Sequence, residues 1–115
     1  MVKGQLLGGL VQGVGGALLE NFQYDSEGQP LAVTFADYLL PSLHDAPEVD
    51  LLLQENAPSP FNPLGIKSAG EAGIIAVGAA IASAVDDAIG QPGAITKLPI
   101  TSQRVYELLQ HGAAA

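Results

Sequence analysis

Apolar side chains recur at helical spacing near both ends of the chain and in short, irregular runs between them. Leu7, Leu10, Val11, Val14 and Leu18 share one stripe, which predicts an amphipathic helix through GQLLGGLVQGVGG at residues 4–16. Glycine opposes that helix. Gly8, Gly9, Gly13, Gly15 and Gly16 each cost roughly 0.8–1 kcal/mol relative to alanine in a helix interior, so the segment needs a reason for bare backbone. Next, two β-prone runs, Phe22 to Asp25 and Leu31 to Phe35, flank a Ser26-Glu27-Gly28 turn and predict a hairpin. Residues 36–48, with Pro41, Pro47 and several acids, predict a loop, and Glu48 to Glu55 (EVDLLLQE) a third strand. Pro58, Pro60 and Pro63 exclude a helix from residues 56–65 and stiffen the approach to the KSAGE segment.

A second helix is predicted where Ile74, Val77, Ile81, Val85 and Ile89 fall on one stripe, with Gly90 and Pro92 as stop signals. A short third helix from about Thr101 to Leu109 takes Thr101 or Ser102 as its cap, and the tail HGAAA frays beyond it. This order predicts an α+β fold over residues 1–115: a glycine-rich helix, a small sheet of about three strands, a long apolar helix and a short terminal helix.

Composition narrows the partners. With 48% hydrophobic residues and a mean hydropathy of +0.30 the 115-residue chain is a packed protein, not a disordered one. The run Ala72 to Val85 has little polar surface, which implies that other chain covers it. It is shorter than the roughly 20 residues that cross a bilayer, so no membrane span is expected. Twelve acidic against four basic side chains, a net charge of −8, repel phosphate backbones and anionic lipid surfaces and argue against nucleic acid as a partner. Absence of cysteine rules out disulfides, a thiolate nucleophile and iron–sulfur ligands within this sequence. The amino terminus lacks the pattern of a signal peptide.

Two polar residues carry candidate chemistry. Gln12 has glycine at each of its helical neighbours, Gly8, Gly9, Gly15 and Gly16, so its amide is framed by bare backbone. Either another backbone packs closely there or a ligand reads the amide. Glu71 stands in GIKSAGEAG, where Ser68 and Glu71 have capping-box spacing. A carboxylate so placed either caps a helix or serves a reacting centre as a base. His44, Asp45 and His111 lack the spacing of metal ligands, and no metal ligand is expected in this chain. Asp86 and Asp87 read as a solvated helix edge.

Taken together, GQLLGGLVQGVGGALLE, YDSEGQPL, FADYLLPSLHDAPEVD, NPLGIKSAGEAG and LPITSQRVYELL resemble the carboxy-terminal part of the molybdopterin-binding large subunit of the xanthine dehydrogenase / carbon monoxide dehydrogenase / aldehyde oxidase family of molybdenum hydroxylases. The specific signature is a G-Q-x-x-G-G-x-x-Q-G helix followed about sixty residues later by K-x-x-G-E-x-G, with D-Y-x-x-P between them. The resemblance implies part of a larger molybdopterin-binding domain, incomplete on its own. It implies that Glu71 is the catalytic base that deprotonates a metal-bound hydroxyl before attack on a substrate carbon. It further implies that Gln12 and Gly13 contact the molybdopterin and that Lys67, Ser68, Ala69 and Gly70 lie around it. The family more often has glycine where Ser68 stands and a bulkier residue at Ala69. Implied cofactors are molybdenum–molybdopterin in its cytosine dinucleotide form, with iron–sulfur clusters and FAD only in partner chains. Implied partners are the remainder of the molybdopterin-binding subunit and the iron–sulfur and FAD subunits, in the cytoplasm or, through a signal on another chain, the periplasm. The competing expectation is an orphan module with a structural or assembly role and no activity, in which Glu71 only caps and Gln12 only packs.

Overall fold

The computed structural model describes residues 1–111. Three helices form: α1 (Val2–Leu18), α2 (Val77–Ile89) and α3 (Ser102–His111). α1 and α3 fall where periodicity placed them, and α2 does so from Val77 onward; the expected fraying concerns residues 112–115, outside the described residues. At its carboxy end α2 closes on Gly90 with φ +68°, a left-handed conformation that costs glycine nothing, and the Gly90 N–H reaches the carbonyls of Asp86 and Asp87. Thr101 accepts the Arg104 N–H at 3.3 Å and caps α3.

The predicted sheet is not present among the described residues. Between α1 and α2 the only pairing among them is an isolated antiparallel bridge, Tyr24 to Pro30, around the expected turn, where Gly28 has φ +80°. A ladder needs a second strand to take its N–H and C=O groups, and residues 22–66 make local bonds in its place. Asp25 accepts the N–H of Glu27 and Gln29, Asp45 that of Ser42, and Asn62 that of Ile66. Leu52, expected in the third strand, is 84% exposed.

The buried apolar side chains are Ala17, Ala94 and Ile100, beside the buried Gly13 and Gly15. Ile100 donates its N–H to the Ala17 carbonyl at 2.6 Å, which joins the segment before α3 to the end of α1. Asp86 corrects the solvated-edge expectation. It is half-buried, and its two carboxylate oxygens accept the N–H of Gly93 at 2.8 Å and of Ile95 at 2.9 Å, bracing the return from α2.

α1 packs across the start of α2 through glycine. A Cβ on Gly13 would come within 2.7 Å of Val77, and one on Gly73 would run into the Leu6 carbonyl oxygen. At Gly9 the distance to the Gly73 backbone would be 3.4 Å, ordinary contact. This crossing explains why α2 begins at Val77 and not at the predicted capping box. Residues 71–76 form turns instead, with the Ile74 N–H on the Glu71 carbonyl and the Val77 N–H on that of Ile74. Ala76 is the N-cap and no side chain caps it, so Ser68 and Glu71 form no capping box.

Candidate functional site

The crossing of α1 over this turn leaves an open cleft of about 320 Å³, lined by Gly4, Gln5, Gly8, Gly9, Gln12, Gly70, Glu71 and Ile74. It unites the two motifs singled out in the sequence. Gln12 and Glu71 share its wall, and both are exposed. Among the described residues no hydrogen bond engages the Glu71 carboxylate, which faces the open cleft.

Most glycines of α1 divide by face. Gly13 and Gly15 are turned toward protein, where a Cβ would meet neighbours, Val77 at Gly13 and Glu20 and Pro41 at Gly15, while Gly9 does both, touching the Gly73 backbone and lining the cleft. Gly4 and Gly8 line the cleft, and a Cβ there would meet nothing within 4 Å; the same holds for Gly70 opposite. Close packing and open space beside the backbone, the two readings left open for this helix, therefore both occur along it and meet at Gly9.

Other expected residues sit less directly. Gly13 is buried against Val77, outside the cleft lining. Lys67 and Ser68 are exposed and Ala69 half-buried on the stretch of chain leading to Gly70, and none of the three lines the cleft. Gln5, which periodicity did not single out, does. Its Nε2 donates to the Gly70 carbonyl at 3.4 Å, linking the first turns of α1 to the residue before Glu71. Its polar side chain beside Gly4 and Gly8 is the signal that could have found it.

The residues present fit a bulky, polar group. Two side-chain amides and a carboxylate converge on bare backbone at Gly4, Gly8 and Gly70, a cradle that Cβ atoms would fill. Such a site can hydrogen-bond a ligand through both amides while a carboxylate takes up a proton beside it.

Comparison with known proteins bears on the same segments. A family profile described as a molybdopterin cofactor-binding domain matches residues 1–47. The 6-hydroxypseudooxynicotine dehydrogenase complex subunit gamma of Paenarthrobacter nicotinovorans is 51% identical over 94% of this chain and 14% of its own length. The xanthine dehydrogenase molybdenum-binding subunit of Escherichia coli O157:H7 is 38% identical over 93% of this chain and 14% of its own. Among solved structures, quinoline 2-oxidoreductase of Pseudomonas putida 86 superposes with a TM-score of 0.87 at 39% identity, over 96% of this chain and 14% of that one. The chain thus spans about a seventh of the length of the relatives it matches.

Proposed function

The chain belongs to the xanthine dehydrogenase / carbon monoxide dehydrogenase / aldehyde oxidase family of molybdenum hydroxylase large subunits, and from that membership we propose that its cleft holds part of the molybdenum cofactor, with Glu71 as the base of a carbon-centre hydroxylation. The observation that carries the reading is the meeting of Gln12 and Glu71, from segments about sixty residues apart, on one glycine-lined wall. When bound, molybdenum–molybdopterin, in its cytosine dinucleotide form, supplies the two-electron redox chemistry.

This chain's residues bind and move a proton. The amides of Gln5 and Gln12 would hold the cofactor, and Gly8 and Gly70 would leave it room beside the helix and turn backbones. Lys67, Ser68 and Ala69 contribute through the backbone that leads into Gly70, and Gly13 acts by seating α1 on Val77. A carboxylate oxygen of Glu71 would hold and move a proton for that hydroxylation, and the open side of the cleft would admit the substrate. The remainder of the large subunit completes the pocket, and iron–sulfur and FAD chains in the cytoplasm take the electrons onward.

The test is Glu71→Gln in the assembly purified from source cells, assayed first with 6-hydroxypseudooxynicotine and quinoline, the compounds named for the relatives. Expected are unchanged native mass and molybdenum content with turnover lowered about 10²- to 10⁴-fold, the usual worth of a general base. Undiminished turnover would remove Glu71 from the chemistry and favour a structural module.

A further inference from the structure

Glu71 stands where the backbone has little bonding of its own. Among the described residues no N–H of residues 67–73 donates a hydrogen bond, and the turn's first bonds run from the Ile74 and Ile75 N–H groups to the Glu71 carbonyl, at 3.1 and 3.3 Å. The place of Glu71 is therefore set by what reaches it from α1. Two consecutive residues of that helix do so, one on each side of Glu71. Gln5 donates its Nε2–H to the Gly70 carbonyl at 3.4 Å, and the Leu6 carbonyl packs on bare Gly73, where a Cβ would overlap it.

The chemistry of the amide makes the upstream contact directional. A carbonyl can only accept, so the nitrogen of Gln5 faces Gly70, and the second N–H and the Oε1 remain for the cleft that Gln5 also lines. The Gly70 carbonyl accepts from no backbone N–H among the described residues, so Gln5 supplies its partner. A base has to lie within about 2.6–3.2 Å of the proton it takes, and a displacement of about 1 Å from a remote change can cost as much as 10²-fold in rate. No hydrogen bond among the described residues fixes the Glu71 carboxylate itself, so its reach follows from where the turn sits.

We propose that Gln5 is a positioning residue: through the Gly70 carbonyl it holds the turn that carries Glu71 against α1, and so sets where the carboxylate stands in the cleft. This rests on the reading of Glu71 as the base and adds to it a residue that acts through Glu71, separately from any contact Gln5 makes with the cofactor. The tether is one neutral hydrogen bond, so its loss should cost about 3- to 10-fold.

Four forms of the assembly purified from source cells test it: unsubstituted, Gln5→Met, Glu71→Gln and the double variant, each with turnover divided by bound molybdenum. Methionine is close to glutamine in length and helix propensity but donates no N–H. Expected is a loss of about 3- to 10-fold on Gln5→Met when Glu71 is present, and of no more than about two-fold in the Glu71→Gln background. Equal losses in both backgrounds would make Gln5 a cofactor contact alone and overturn the proposal, as would no loss in either. Gln5→Asn keeps an amide that is one methylene too short for Gly70 and should repeat the loss; full turnover in that variant would also overturn it. Hydrogen exchange on the intact assembly reads the tether without the chemistry: the amides of residues 74–77 should exchange about three-fold or more faster in Gln5→Met, and unchanged exchange would overturn the tether. Should Glu71→Gln keep full turnover, the base reading fails, while exchange still decides whether Gln5 holds the turn.

Discussion

A single titratable pair anchors the exposed middle of the chain. The Tyr38 hydroxyl hydrogen-bonds Glu20, and this bond, together with desolvation and the nearby carboxylate charge, holds the phenol above its ordinary value. A group whose folded-state pKa is raised contributes stability that is complete below its unfolded value, about 10, and is lost as pH rises through the folded value. Stability should therefore carry an alkaline component above pH about 10 that disappears in Tyr38→Phe, measured by denaturant unfolding between pH 8 and 11. Persistence of that component in the variant would remove Tyr38 as its source. Asp45 behaves in the opposite sense: hydrogen bonds from the Ser42 hydroxyl and N–H, at 2.7 Å each, hold its carboxyl below the usual range. Glu71 differs from both in hydrogen bonding, since its oxygens bond no neighbour among the described residues.

Among elements, the decisive contact is the crossing of α1 over the turn before α2, and glycine serves it in two ways. Gly73→Ala should destabilise by about 1–3 kcal/mol, the range for overpacking, because its methyl would strike the Leu6 carbonyl. Gly8→Ala meets nothing and should raise helix stability by roughly 0.8–1 kcal/mol. In the assembly, however, the Gly8 methyl would fill the cleft wall and should lower molybdenum content. Thermal unfolding separates the first pair of outcomes and metal assay the last; a Gly8→Ala protein with full molybdenum would show that the cofactor does not approach there. The carboxy-terminal elements are joined differently, by the Asp86 brace and the Ile100 to Ala17 bond, so polar groups do what a larger core does elsewhere.

At the scale of the molecule, α1 packs on α2 and most side chains of residues 22–66 stay exposed. The radius of gyration is 17.8 Å with extents of 54 × 35 × 28 Å, against about 13 Å for a compact chain of this length. Small-angle scattering from the 115-residue polypeptide should return a value near 17.8 Å, and one near 13 Å would mean that the middle segment folds back on itself. Among the described residues no helix is long and apolar enough to cross a membrane.

What the sequence alone determined was local. Period, caps and stop signals located three helices, because a helix closes its hydrogen bonds within itself and its ends are written in nearby residues such as Thr101 and Gly90. The motifs also marked Gln12 and Glu71, two of the polar residues that line the cleft. The tertiary structure alone decided three matters: the strands that did not form, the later start of α2, and the division of α1's glycines between packing and cleft. Each depends on what lies across from a residue. A strand needs a partner, a capping box needs a helix that begins beside it, and a glycine's purpose is set by the atom or the space its missing Cβ would meet.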